Sequence, residues 1–127
     1  MGHHHTTLET GQRAEQLALR YLCERGLQRV AMNFRSRGGE IDLIMLDADC
    51  LVFVEVRFRS SGSFVAASHT VDSHKQRKLI RTAALFIARN QQFAMHTMRF
   101  DVIAVEGREK IALTWLKDAF RPNNSTL

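Results

Sequence analysis

The segment GGEIDLIMLDADCLVFVEVRFR, Gly38 to Arg59, constrains this chain more than any other. Two apolar runs, Glu40 to Leu46 and Leu51 to Arg57, flank the polar Asp47-Ala48-Asp49-Cys50, which reads as two strands closed by a short hairpin loop. The hairpin commits the chain to a sheet. Yet Glu40, Asp42 and Glu55 sit inside its strands, where β-branched and aromatic residues are favoured.

Side chains on a strand alternate between faces, so Glu40, Asp42, Ile44 and Leu46 share one face, and Leu51, Phe53, Glu55 and Arg57 share one face of the next strand. Pairing Leu46 with Leu51 sets Asp42 opposite Glu55 and Glu40 opposite Arg57. Opposed residues have Cα atoms about 4.5–5.5 Å apart. Two ionised carboxylates about 5 Å apart, at an effective dielectric of about 20, repel by about 3 kcal/mol, so a cation belongs between them. For Glu40 and Arg57 the expectation is a cross-strand ion pair. For Asp42 and Glu55, flanked by Ile41, Leu43, Val54 and Val56, Arg57 or a metal supplies the charge. Magnesium suits such an oxygen set, being commonly held by one or two carboxylates together with phosphate oxygens and water.

The remaining pattern predicts the order α-β-β-β-α-β-β. Leu8 to Gly26 has helical periodicity, with Leu17, Ala18, Tyr21 and Leu22 on one face and Gly26 as the stop. VAMNF from Val30 reads as a short strand and Arg35 to Gly39 as a turn. Ser60 to Thr70, rich in Ser, Gly and Ala, reads as a mobile loop, and Ser73 with Gln76 resembles a capping box opening a second helix to about Asn90. MRFDVIAV from Met98 and IALTWL from Ile111 complete the strands. The long crossover through the second helix makes the third and fourth strands parallel, giving a mixed α/β sheet flanked by helices. Two polar residues interrupt the helix faces: Glu15, between Leu19 and Leu22, and Gln76, between Ala83 and Ile87.

At 127 residues and 45% hydrophobic content the chain suits one domain, expected over residues 6–120, with a disordered tail at 121–127. MGHHH reads as an expression-tag remnant, leaving His69, His74 and His96 as the histidines that count. With neither a basic-apolar leader nor a membrane-length apolar run, the expectation is a cytoplasmic protein without membrane association. Cys23 and Cys50 have no zinc or disulfide spacing, and the phosphate-binding GxxxxGK[ST] and dinucleotide GxGxxG loops are missing. The net charge of +5 points to an anionic partner, and between Arg57 and Arg99 eight cations face a single acid, Asp72.

Asp42 followed by Glu55-Val56-Arg57 on the next strand resembles the D…(D/E)-x-K signature of the restriction-endonuclease-like nuclease superfamily, whose core has the order α-β-β-β-α-β. A closer resemblance is to its YraN-like branch of small bacterial proteins. It rests on Ala14-Glu15, Tyr21-Leu22, Gly26, Asn33-Phe34-Arg35, Gly39 to Ile44, Phe53 to Arg57, Lys75-Gln76, Arg99 to Val102 and Asp118 to Phe120, nearly the whole chain after the tag.

The resemblance implies a nuclease-like fold related to Holliday junction resolvases, Mg²⁺ or Mn²⁺ at Asp42 and Glu55 with Glu15 as a third carboxylate, and hydrolysis of phosphodiester bonds in DNA, branched DNA by analogy. Gln76 would position the water or the phosphate, and Glu40 would stand behind the ligands. Arg57 replaces the signature lysine; a guanidinium stays protonated, so it can stabilise developing phosphoryl charge but cannot take a proton from water. Arg35, Arg37, Arg59, Lys75 and Lys78 would contact phosphates without reading sequence. The loop at 60–70 would either close over the nucleic acid, with Phe64 stacking on a base, or be an inert loop with Phe64 in core or dimer packing. Junction-cutting relatives suggest a homodimer. The alternative is a non-catalytic nucleic-acid-binding or scaffold protein that retains the nuclease-like fold.

Overall fold

Five strands lie side by side in chain order, and the connection between the third and fourth is the one that crosses over. The computed structural model describes residues 7–59, 71–107 and 109–122. Helix α1 (Thr7–Glu24) leads into β1 (Gln28–Ser36), β2 (Gly39–Asp47) and β3 (Cys50–Arg59); α2 (Ser73–Arg89) and a 3₁₀ turn (Gln91–Phe93) precede β4 (Thr97–Glu106) and β5 (Ala112–Phe120). The predicted order is the observed one. Neighbouring strands are antiparallel except β3 and β4, which run parallel from Cys50 beside Thr97 to Arg59 beside Glu106.

Each sheet face is covered by one helix. Ala14, Ala18 and Leu22 of α1 pack on Leu43, Val52 and Ile103. On the other face, Leu79, Ala83 and Phe86 of α2 pack on Ile44, Leu51 and Phe53. A strand covered on both faces needs apolar residues at successive positions, which is why Leu51 to Val54 is an unbroken, fully buried run. Burying each such side chain contributes about 1.5–3 kcal/mol.

The element ends differ from the sequence expectation for local reasons. Gly26, at φ +95°, ends α1 as Leu27 N–H donates to Leu22 O at 3.1 Å. Strand β1 continues through Arg35 and Ser36, so the turn to β2 is only Arg37-Gly38. The cap of α2 is Asp72 rather than Ser73: its Oδ1 accepts from Lys75 N–H at 2.8 Å. Strand β5 runs on to Phe120, past a bulge opposite Phe100 and Val102. Among the described residues no helix is long and apolar enough to cross a membrane. The tag, the loop at 60–70 with Phe64, and 123–127 lie outside the described residues.

Candidate functional site

The β2–β3 ladder has the predicted register, with Leu46 beside Leu51 and Leu43 beside Val54, and there it stops. At the next step the Val56 N–H donates to Asp42 Oδ2 at 2.8 Å. A side-chain carboxylate thus takes the strand amide, anchoring Asp42 against β3 beside Glu55.

The expected Glu40–Arg57 ion pair does not form. Apolar alternation slips at Asp42: Leu43 and Met45 belong to the core under α1, whereas both Ile44 and Ile41 belong to the core under α2. The same slip occurs on β1, where Met32 packs towards α1 but Ala31 and Phe34 towards α2. Register places Asn33 opposite Asp42, and Asn33 has a left-handed backbone, φ 52°. Beyond this irregularity Glu40 pairs with its β1 neighbour, Arg35 Nε to Glu40 Oε1 at 3.1 Å, on the open surface. Glu40 and Asp42 therefore do not share a simple face.

Arg57 instead binds Glu55, Nη1 to Oε2 at 3.5 Å, and Lys75 from the first turn of α2 reaches the same oxygen at 2.5 Å. The Glu55 side chain is 6% exposed, Arg57 17% and Lys75 40%. Among the described residues, Arg57 Nε is buried without a hydrogen-bond partner.

Asp42 carries the largest electrostatic strain of the site. Its pKa is pushed up to about 8, first by burial and then by the negative charge of Glu55, with a smaller contribution from Glu15; the Val56 N–H bond opposes the shift. Glu15 is also raised, chiefly by burial, with a hydrogen bond from Asn33 acting the other way. With its amide nitrogen turned to the carboxylates, Asn33 donates to Glu15 Oε1 at 3.0 Å and to Glu40 Oε1 at 3.3 Å. Glu15 thus meets Asp42 from the α1 side. Among the described residues, no group of three or more acidic, histidine or cysteine side chains converges tightly enough to surround an ion. Asp42 and Glu55 are the two carboxylates in closest electrostatic contact there.

These two carboxylates line a cleft of about 650 Å³ between the ends of β2 and β3 and the start of α2, with Arg57, Arg59, Lys75 and Lys78 on its walls. Arg35 and Arg37 are not among its lining residues, nor is Gln76, whose amide caps the Val71 carbonyl at 2.8 Å. The latter bond holds the chain leading into α2. Helix α2 has no acidic residue and presents Arg77, Lys78 and Arg81 to solvent.

A family model described as "Uncharacterised protein family UPF0102" matches residues 14–105, a span that includes α1 from Ala14, the hairpin, α2 and most of β4. The chain belongs to this family. Bacterial members named "UPF0102 protein" resemble it over most of their length. One from Pseudomonas putida is 47% identical over 112 residues, 87% of this chain and 91% of that protein. One from Pseudomonas syringae pv. syringae is 44% identical over 117 residues, 91% of this chain and 95% of that protein. A Stutzerimonas stutzeri member is 44% identical over 113 residues, covering 87% and 93% of the two chains.

Two residues escaped the sequence reading. Asn33 had a visible signal, a lone amide inside an apolar strand, and its role is to gather Glu15 and Glu40. Asp101 is fully buried, and its carboxylate accepts from Arg99 Nε at 3.0 Å, Trp115 Nε1 at 2.9 Å and Asp118 N–H at 2.8 Å. Arg99 also pairs with Asp47 at 2.9 Å; burial alone would lower its pKa, but the bonds to Asp101 and Asp47 raise it. Through the Asp118 bond this network pins the β5 bulge to β4, and it holds no residue of the cleft.

Proposed function

We propose that the chain is a metal-dependent phosphodiester hydrolase acting on DNA, with the nuclease-like core that its YraN-like resemblance implies. The observation that carries the reading is the Asp42–Glu55 pair. The charge of Glu55 stands against Asp42 and raises the cost of ionising it, at a cleft with four cations on its walls. A pair of hard oxygen donors in that setting fits Mg²⁺ or Mn²⁺, which keep several ligand positions for water and phosphate.

Asp42 and Glu55 would hold the ion, which supplies Lewis acidity towards the phosphate and a bound water of lowered pKa. The other residues act on charge and position. Arg57, mostly buried and paired with Glu55, offers a guanidinium to the negative charge that grows on phosphoryl oxygens. Lys78 and Arg59 on the cleft walls would bind flanking phosphates of the strand. Glu15 and Glu40, tied to Asn33, keep the α1 side of Asp42 negative and so favour a cation there.

The non-catalytic reading has its own support: Glu55 already has two cationic partners, as a relic site neutralised by Arg57 and Lys75 would. One experiment separates the two. Branched, nicked and single-stranded DNA are incubated with wild type, Asp42→Asn and Glu55→Gln in Mg²⁺ or Mn²⁺. The hydrolase reading expects divalent-dependent cleavage that both variants abolish while remaining folded. Salt-dependent binding without cleavage, unchanged or tighter in the variants, would replace it with the non-catalytic one.

A further inference from the structure

Lys75 and Arg57 converge on one oxygen of Glu55, but they are not equivalent partners. Arg57 is mostly buried, and its Nε, buried outright, meets no acceptor among the described residues. Lys75 hangs from the rim of the cleft on a flexible four-carbon stem, with two-fifths of its side chain exposed. One cation is built in and the other is able to leave.

Glu55 Oε2 is bound by both cations, so an ion coordinating that oxygen has to contend with an ammonium at 2.5 Å. A point charge of +1 and a divalent ion at the same carboxylate oxygen, a few ångströms apart in a half-buried cleft, repel one another strongly. They exclude each other unless the flexible one withdraws.

We propose that the Lys75 ammonium is a resident counter-ion of Glu55 that competes with the divalent cation, and that cation binding releases it into the cleft to contact phosphate. The proposal rests on the metal-site half of the function given above. In the metal-free protein Lys75 keeps a buried carboxylate neutralised. Once displaced, its amine stands in the cleft beside the carboxylate pair with Lys78 one helical turn further along. A single lysine would thereby link cation occupancy to substrate affinity: the cleft gains a free ammonium for the phosphodiester when the ion is in place.

Two opposite effects are expected from one substitution. Removing the competitor in Lys75→Met should tighten Mn²⁺ binding, by about fivefold for a partly exposed pair, while weakening DNA binding in the presence of the ion. Lys75→Arg retains a cation and should return Mn²⁺ affinity towards wild type. Arg81→Met, an exposed cation of the same helix that does not touch Glu55, controls for general charge loss.

The measurement is paramagnetic broadening of amide signals in β2 and β3 during Mn²⁺ titration of isotope-labelled protein, with spectra away from the cleft reporting an intact fold. Tighter binding in Lys75→Met alone supports the proposal. Equal or weaker binding than wild type overturns it and leaves the metal site standing. No saturable broadening in either protein overturns it together with the metal site, an outcome distinct from the first two. As a second readout, diamagnetic Mg²⁺ should move the Lys75 side-chain ¹³Cε and ¹⁵Nζ signals in wild type but not in Glu55→Gln; signals that stay fixed at saturating Mg²⁺ would also overturn it.

Discussion

Asp42 accepts the backbone N–H of Val56 at 2.8 Å, so the residue that ends the β2–β3 ladder is also the carboxyl whose pKa burial and the charge of Glu55 push up to about 8. Both facts follow from placing a carboxylate where the strand amide needed an acceptor and where Glu55 already brought a charge.

That placement predicts how stability varies with pH. An unfolded Asp titrates near pH 3.9, whereas folded Asp42 titrates at about 8. Between these values the native state binds more protons than the unfolded one, so Asp42 makes stability fall as pH rises across that window. Asp42→Asn keeps an oxygen for Val56 N–H and removes the titration. Its melting temperature should match wild type near pH 4 and exceed it by about 4 °C or more at pH 9. Thermal melts across that range measure it; a difference independent of pH would contradict the assignment.

Glu55 should matter for stability through the cation it faces. It neutralises Arg57, which lies mostly buried and has no other carboxylate bonded to it among the described residues. Glu55→Gln strands that charge and should cost about 3 kcal/mol in urea unfolding. Combining it with Arg57→Met removes the stranded charge and should recover at least half of the loss. A double variant as unstable as the sum of the singles would show that Arg57 is held by something other than Glu55.

How much of this was legible in the sequence depends on the range of the interaction involved. The Leu46–Leu51 register follows from a short polar loop between two apolar runs, and the parallel β3–β4 pair from the length of the crossover; both came out as expected. The Glu40–Arg57 pair did not, because strict alternation was assumed through Asp42, and one left-handed residue on the neighbouring strand, Asn33, breaks it. Asp72 and Ser73 are both good caps, so local chemistry could not choose between them. Gln76 stands out in the sequence as a polar group on an apolar face, and the bond from its amide to the Val71 carbonyl has no local signal there. The Lys75–Glu55 contact joins α2 to β3 and had no local signal.

Gly39, at the start of β2, lies against α2. Its φ is +155°, and a Cβ there would lie 3.3 Å from Thr82 Oγ1 and 3.8 Å from Lys78 Cβ. Gly39→Ala should cost about 1–2 kcal/mol through backbone strain and push the α2 side of the cleft outward. Chemical-shift changes should then extend from Gly39 to Lys75 and Lys78. A variant as stable as wild type, with shifts confined to the turn, would show that the contact is slack.

Asp101 should matter for folding and not for chemistry. Asp101→Asn keeps the shape but removes the charge that Arg99 faces and turns an amide donor towards Trp115 Nε1 or Asp118 N–H. It should destabilise the protein by about 3 kcal/mol and shift Trp115 fluorescence as the β5 bulge loosens. At temperatures where the variant stays folded, Mn²⁺ binding should be unchanged; its loss would tie this network to the cleft.

Nucleic-acid binding should follow the cleft rather than the count of positive charges. Lys78 and Arg59 line it, whereas Arg35 is spent on Glu40 at the surface and Arg37 sits in the β1–β2 turn. Each phosphate neutralised by a cation contributes close to one unit of slope in log affinity against log salt. Lys78→Ala and Arg59→Ala should therefore each flatten that slope by about 1 on a short DNA duplex measured by anisotropy. Arg35→Ala should change it by less, because its guanidinium is already paired with Glu40 and neutralises no phosphate. Equal effects at all three positions would mean that DNA is held by the overall field of a protein of net charge +5, and that the carboxylate pair does not mark where the strand lies.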